Sequence, residues 1–175
     1  MSDSQRIHFV PAKRQTQILE MEVKHIIAVP HQQEAGTNHW CLYFSTSPTT
    51  SIRLDCQPSY SVPSSILQGG SKADLIISEL PYEAESDAQA KLILNTAFGL
   101  SFGRIWDQIT RHGRHKYEFD ENGVGCRCWI TDQIDLLYEL QIIIDENQVR
   151  DAIAAILKLW PEKTPLALDQ GAYYE

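Results

Sequence analysis

A glycine-rich turn in the stretch NGVGCRCWITDQIDLL (122–137) leads into a predicted helix that begins with two cysteines flanking an arginine. At the first helical position the thiol of Cys126 would lie beside the free N–H groups of the first turn, and Arg127 adds a positive charge nearby. Both features favour the thiolate, which is the nucleophilic form of cysteine. Cys128 lies about 200° further round the helix and would face away from the same cleft. The stretch therefore predicts a catalytic Cys126, with a pair of small buried cysteines as the alternative interpretation.

A nucleophilic cysteine needs a base, and His39 is the strongest candidate of the chain's six histidines. It begins the otherwise apolar segment HWCLYFS (39–45), and a strand there would hold the imidazole in one orientation. The alternative is a structural histidine whose hydrogen bonds are satisfied within the fold.

A third group should orient the imidazole, and Asp55 fits that role if two strands form a hairpin. A turn centred on residues 47–48 would set His39 opposite the region around Asp55, and facing residues of an antiparallel pair share one sheet face. Asp55 then shares the face of His39, whereas Cys56 points to the other face and a Cys41–Cys56 disulfide is disfavoured. The alternative is that Asp55 is an ordinary solvated acid.

Hydrophobic periodicity places these groups on strands in the first half of the chain and on a helix in the second half. Apolar and alternating runs predict strands over residues 23–31, 39–45, 51–57 and 73–80. Helical spacing of apolar residues predicts helices over residues 101–113, 126–140 and 145–160. The remaining segments predict loops over 31–38 and 58–72, an ambiguous helix over 87–99 and an extended, docked tail over 165–175. Strands followed by helices are typical of an α+β domain, here with an antiparallel sheet packed against helices.

Length and composition limit the class of protein and of partner. The 175 residues fit a single domain, which we place at 21–175 after a polar N-terminal segment at 1–20. A net charge of -8 argues against a nucleic acid or an anionic membrane surface as partner, because both need clustered Lys and Arg. No apolar run is long enough to cross a bilayer, and the first residues lack the apolar core of a signal peptide. These features predict a cytoplasmic protein with free thiols.

Three short segments that carry the candidate residues resemble the circularly permuted papain-like superfamily, the NlpC-type group that includes lecithin:retinol acyltransferase. HWCLY (39–43) is similar to the H-W-A-L-Y strand of that group, and SIRL (51–54) is similar to its V-I-H-L strand. GCRCWI (125–130) is similar to its N-C-E-H-F-V helix start. The resemblance implies a permuted papain-like fold with Cys126 as nucleophile and His39 as base.

This chain departs from the acyltransferase pattern at two positions. Arg53 replaces the second histidine and cannot orient an imidazole as a carboxylate would, so the third role passes to Asp55. Cys128 replaces the histidine that follows the nucleophile. The whole chain, and GVGCRCWI with LWP in particular, also resembles an uncharacterised family of small fungal proteins, a family without an agreed activity. Some other fungal proteins of this size are tailoring enzymes in natural-product pathways.

Together these features predict a cysteine-dependent, acyl-handling enzyme, a hydrolase, acyltransferase or cyclase that acts on a small molecule without a cofactor. A backbone N–H near Cys126, with Gln57 or Asn38, would hold the oxyanion. The predicted substrate-binding side chains are mostly aromatic and polar: Trp40, Tyr43, Arg53, Gln57, Tyr117 and Trp129.

Two other functions fit the same sequence. A protein that binds an apolar small molecule, or a cyclase without covalent chemistry, would use the same aromatic cleft. A metal site would use His112, His115, Cys126 and Cys128, which are ligands of the right type. Their spacing is poor, because Cys-x-Cys is tighter than the usual gap, and we predict no metal.

Overall fold

The structure is a computed structural model that describes residues 6–175. Over that range it contains ten strands and four α-helices. The strands are β1 (Ile7–Val10), β2 (His25–Glu34), β3 (Thr37–Ser47), β4 (Thr50–Pro63), β5 (Ser71–Leu80), β6 (Leu92–Asn95), β7 (Tyr117–Phe119), β8 (Lys158–Leu159), β9 (Thr164–Pro165) and β10 (Ala172–Tyr173). The helices are α1 (Gln15–Glu20), α2 (Phe102–Arg111), α3 (Cys126–Glu139) and α4 (Glu146–Ile156).

One large sheet organises the fold, in the order β10-β7-β5-β4-β3-β2-β6. All neighbours along this path are antiparallel, and β1 joins it as a parallel partner of β5. Strands β8 and β9 pair only with each other among the described residues. The predicted α+β class, with an antiparallel sheet packed against helices, is therefore confirmed.

The central strands are buried on both faces of the sheet, which explains why they are apolar along most of their length. Along β2, Ile26 and Ala28 face the large core beneath the helices, whereas Ile27 and Val29 pack on the opposite face. Cys41 of β3 belongs to that second, smaller core, which the segment after β5 covers with alanine side chains. A strand covered on both faces needs apolar residues at consecutive positions.

The β3–β4 hairpin brings the predicted site residues onto one sheet face, as the parity of the sequence suggested. Tyr43 pairs with Arg53 and Leu42 with Leu54, which is the last register pair of this ladder. The two strands separate beyond that pair, so His39 and Asp55 lie on strand segments that are no longer joined to each other. The gap leaves room for side chains to converge.

Several predicted boundaries are wrong, for reasons that depend on tertiary contacts. The predicted loop 31–38 is mostly strand, because β2 and β3 continue to a tight turn. The helix-like segment 87–99 contains only β6, whose Leu94 is buried against β2 while its neighbours point outward. The loop predicted over 58–72 begins with the last residues of β4.

Residues 6–20 of the N-terminal segment are part of the fold. Its strand β1 pairs with β5, and α1 buries Ile18 completely in the large core. Residues 1–5 of the predicted polar segment lie outside the described residues. The tail is extended as predicted, with β10 paired to β7, whereas the last helix ends at residue 156 instead of 160.

We expect Ala35→Asn to stabilise the protein. Ala35 and Gly36 form the β2–β3 turn with φ angles of 53° and 79°, and positive φ strains alanine but suits asparagine. Relief of this strain should raise the free energy of unfolding by up to about 1 kcal/mol, or the melting temperature by about 2–4 °C. Ala167→Asn, at an exposed residue without positive φ, is the control for thermal unfolding and should change little. An unchanged or lower melting temperature for Ala35→Asn would contradict the expectation.

Candidate active site

Cys126 is the first residue of α3, and the backbone before it is held in a conformation that glycine favours. Gly125 has a φ of 140°, and a Cβ there would come within 3.2 Å of the Tyr117 hydroxyl oxygen. That hydroxyl donates a 2.8 Å hydrogen bond to the Gly125 carbonyl oxygen and accepts one of 2.9 Å from the Gly171 N–H. Buried Tyr117 therefore ties the helix start to the C-terminal tail, and the position of the Cys126 thiol depends on both.

The loop before α3 is fixed by one side chain and one close contact. The Asp120 carboxylate accepts hydrogen bonds from the backbone N–H groups of Asn122 and Val124, at 2.9 and 3.2 Å. Gly123 lies against Tyr60, whose hydroxyl oxygen would be only 2.1 Å from an added Cβ. A side chain at this position would displace the exposed Tyr60 ring, which lines the same cavity as the loop.

His39 and Asp55 form a short hydrogen bond in the gap between β3 and β4. The ring Nε2–H donates to the Asp55 carboxylate oxygen Oδ1 at 2.6 Å. The Asp55 side chain is 14% exposed, whereas that of His39 is 37% exposed and reaches the surface of a cavity. Because Nε2 is engaged by the carboxylate, Nδ1 is the ring nitrogen available to accept a proton from another group.

The thiols of Cys126 and Cys41 lie near enough to the His39 imidazole to influence its pKa. Burial alone would lower the pKa of the imidazole, yet the pKa is raised well above its ordinary value, because the Asp55 carboxylate and the two thiols stabilise the protonated ring. We attribute the rise chiefly to Asp55, since burial raises the pKa of the Cys41 thiol to about 11 and leaves that thiol neutral near pH 7. Burial likewise opposes ionisation of Asp55, but the contact with His39 keeps the pKa of this carboxyl below its ordinary value.

All four cysteines are free, and they differ in their surroundings. Cys41 and Cys56 are buried, and burial raises the pKa of both thiols. Burial and the nearby Asp132 carboxylate raise the pKa of the Cys128 thiol. Of the four, Cys126 is the one that lines the cavity.

The cavity has a volume of about 680 Å³, which is the size of a small-molecule site. His39 and Gln57 line it from the sheet, and Cys126 lines it from the helix. Asn122 of the loop before α3 and Tyr60 of β4 add polar groups. The histidine, the cysteine and the carboxamide thus face one common space, although they lie far apart in the chain.

Most of the predicted substrate-binding side chains do not line this cavity. Trp40, Tyr43 and Trp129 are fully buried in the cores. Tyr117 holds the start of α3, as described above, and Arg53 forms a 2.6 Å ion pair with Glu85. Among the six predicted residues, Gln57 is therefore the one with direct access to a substrate.

Two polar side chains have structural roles that the sequence did not reveal. The Asn38 carboxamide nitrogen donates to the carbonyl oxygens of His31 and Trp160, at 2.8 and 3.0 Å, so it is not free to bind an oxyanion. The Arg127 guanidinium, only 3% exposed, donates to the carbonyl oxygens of Ile156, Leu166 and Ala167. From its position beside Cys126, the sequence predicted that Arg127 would stabilise a thiolate. No local sequence pattern indicated that Arg127 would bind the tail instead.

Three side chains with atoms suited to binding a metal ion lie close together, but they are not the residues that the sequence suggested. Within residues 6–175, His39, Cys41 and Asp55 each offer a donor atom, and these atoms lie within 4.8 Å of one another. His112 instead donates from its ring to the Gln108 carbonyl oxygen, and Cys128 lies against Asp132. The four residues considered from the sequence therefore form no such cluster in the described part of the chain.

The chain belongs to a family whose shared domain has no known function, DUF7770, and the family profile matches residues 24–174. The match includes both strands of the hairpin, the cavity and α3. No curated protein and no solved structure shows a significant match to the chain. No helix among residues 6–175 is long and apolar enough to cross a membrane.

We expect Arg127→Met to destabilise the protein by about 3 kcal/mol, because several buried carbonyl oxygens would lose a charged donor and gain none. Arg150→Met is the matched control, since Arg150 is exposed on α4 and pairs only with exposed Glu146 in the described structure. Chemical denaturation of both variants measures the difference. Equal stabilities would show that Arg127 does not hold the tail.

Proposed function

We propose that the protein is a cysteine-dependent enzyme that transfers or hydrolyses an acyl group on a small molecule. One observation carries the proposal: His39, hydrogen-bonded to the Asp55 carboxylate, lines the same 680 Å³ cavity as Cys126. This is the order of groups that activates a thiol for attack on a carbonyl carbon.

The raised pKa of His39 favours the protonated ring, so the reaction begins with the proton of the Cys126–His39 pair on the imidazole and with the Cys126 sulfur as the nucleophile. The sulfur forms a bond to the substrate carbonyl carbon, and the carbonyl π electrons move to oxygen. When the tetrahedral intermediate collapses, the leaving group departs with the proton held by His39, and an acyl-thioester remains on Cys126. Asp55 stays ionised throughout and stabilises the imidazolium.

The oxyanion needs hydrogen-bond donors on the cavity wall. The backbone N–H of Cys126 is at the start of α3, where N–H groups have no partner within the helix. Gln57 lines the same cavity, and its carboxamide forms no hydrogen bond to the described residues. We assign the second donor to Gln57 rather than Asn38, whose nitrogen is already committed to two backbone carbonyl oxygens.

The second half of the reaction depends on what attacks the thioester. Water gives a hydrolase, an external amine or alcohol gives an acyltransferase, and a nucleophile within the substrate gives a cyclase. His39 takes the proton of the attacking group in each case and returns it to the Cys126 sulfur. The cavity volume suits a small molecule for all three outcomes.

The resemblance to permuted papain-like enzymes supports this assignment, and the likeness to small fungal proteins suggests natural-product biosynthesis as its setting. A cytoplasmic location, predicted from the composition, would suit a thiol nucleophile because that compartment keeps cysteines reduced. A binding protein without covalent chemistry is less well supported, since the large aromatic side chains expected to hold an apolar ligand lie in the cores.

We expect iodoacetamide to alkylate Cys126 first and fastest near neutral pH, in protein freed of metal with a chelator. His39→Ala should slow this reaction by about 100-fold or more, and Asp55→Asn should slow it by a smaller factor, because each removes part of the activating system. Mass spectrometry of tryptic peptides follows each cysteine separately. Cys128→Ala is the matched control and should leave the rate at Cys126 unchanged. Equally slow alkylation at all four cysteines would contradict the proposal.

Exposure to p-nitrophenyl acetate should produce an acetyl-enzyme on Cys126, because an activated ester tests the acyl-transfer step without knowledge of the natural substrate. The intact mass should increase by one acetyl group in the wild type and in Cys128→Ala, and not in Cys126→Ala. Gln57→Ala should slow acylation by about 10-fold to 1,000-fold if its carboxamide stabilises the oxyanion. Acetylation that persists in Cys126→Ala would rule out this nucleophile.

A further inference from the structure

Cys41 is a buried thiol that the proposed reaction does not use, although it contacts the catalytic histidine. We propose that His39, Cys41 and Asp55 form a binding site for Zn²⁺ or a similar transition-metal ion, and that this ion blocks the thiol chemistry. The proposed metal binding depends only on the three clustered side chains, whereas the proposed inhibition depends on the function proposed above.

The geometry of the three side chains carries the proposal. Their donor atoms lie within 4.8 Å of one another. Bonds of about 2.0–2.3 Å to each donor would draw these atoms slightly closer around an ion. The residues come from two strands whose ladder ends just before the site.

The chemistry of the donors selects the kind of ion. One thiolate, one imidazole and one carboxylate form the mixed set that Zn²⁺ accepts, whereas Mg²⁺ and Ca²⁺ prefer oxygen ligands alone. Three protein ligands leave a fourth position open, as in zinc sites with an exchangeable ligand.

The charge around the cluster suits a cation. Asp55 supplies one buried negative charge, and an ion bound to Cys41 would displace the thiol proton and create a second. Two negative charges would offset a divalent ion. Arg53 is a cationic side chain beside the cluster, and its ion pair with Glu85 offsets part of its charge.

The ion would compete directly with the proposed reaction. The hydrogen-bonded proton between His39 Nε2 and Asp55 Oδ1 occupies the space that an ion would share between these two atoms. Coordination would fix the ring on the metal and draw Asp55 away from it. His39 would then no longer take the proton of Cys126.

Cobalt(II) titration tests the site in the whole protein, because a thiolate bound to Co²⁺ produces a charge-transfer absorption band. Chelator-treated wild type and Cys128→Ala should each bind one Co²⁺ with this band, and Zn²⁺ should displace it. Cys41→Ala should lose the band, and His39→Ala and Asp55→Ala should weaken binding by at least about tenfold. Melting temperatures confirm that each variant is folded. A wild type without the band, or a Cys41→Ala variant that retains it, would overturn the site.

A second measurement separates the metal site from the proposed function. For each variant, the alkylation rate at Cys126 is measured with and without Zn²⁺. The ratio of the two rates gives the effect of zinc apart from the effect of the substitution. Zinc should slow the wild type and Cys128→Ala by at least about tenfold and slow Cys41→Ala much less. Rapid alkylation that zinc does not affect would overturn the inhibition and leave the thiol function standing. A normal cobalt band with slow alkylation in metal-free protein would support the site and contradict the proposed function.

Discussion

The 2.6 Å hydrogen bond between His39 and Asp55 is the contact on which the rest of the site depends. It forms where β3 and β4 separate, so neither side chain is held there by the ladder itself. The carboxylate fixes which ring nitrogen carries the proton and leaves the other one available. It also opposes the effect of burial on the imidazole, whose pKa would otherwise fall. Without this bond the cavity would hold a cysteine and a ring with no defined orientation.

Distant parts of the chain fix the other half of the site. Tyr117 joins the start of α3 to the tail, and Arg127 binds backbone carbonyl oxygens at the end of α4 and in the tail. A charged group without such partners would be costly to bury, and the burial lowers the pKa of this guanidinium despite them. The tail therefore closes one side of the cavity and supports Cys126 at the same time. Stability and the proposed chemistry share the same few contacts.

Part of the site could be anticipated from local rules. The alternation of a strand placed Asp55 and Cys41 on the face of His39, and the glycines before Cys126 indicated a helix start. The aromatic lining was misjudged because large apolar rings gain most from complete burial, and here the cores had room for them. Asn38 was predicted as an oxyanion donor, but its carboxamide nitrogen donates to two backbone carbonyl oxygens. The sequence cannot separate these two roles, because both use the same side chain.

The sequence by itself determined the class of fold, the hairpin parity and the chemical types of the three candidate groups. Fold class and hairpin parity depend on the side-chain period, which is two residues in a strand and 3.6 residues in a helix. A short segment of sequence is enough to show either period. Only the tertiary structure decided that His39, Asp55 and Cys126 converge, that Cys41 joins them, and that Arg127 binds the tail. Such contacts connect residues up to 87 positions apart, from His39 to Cys126, and no local periodicity records which distant surfaces will meet when the apolar faces are buried.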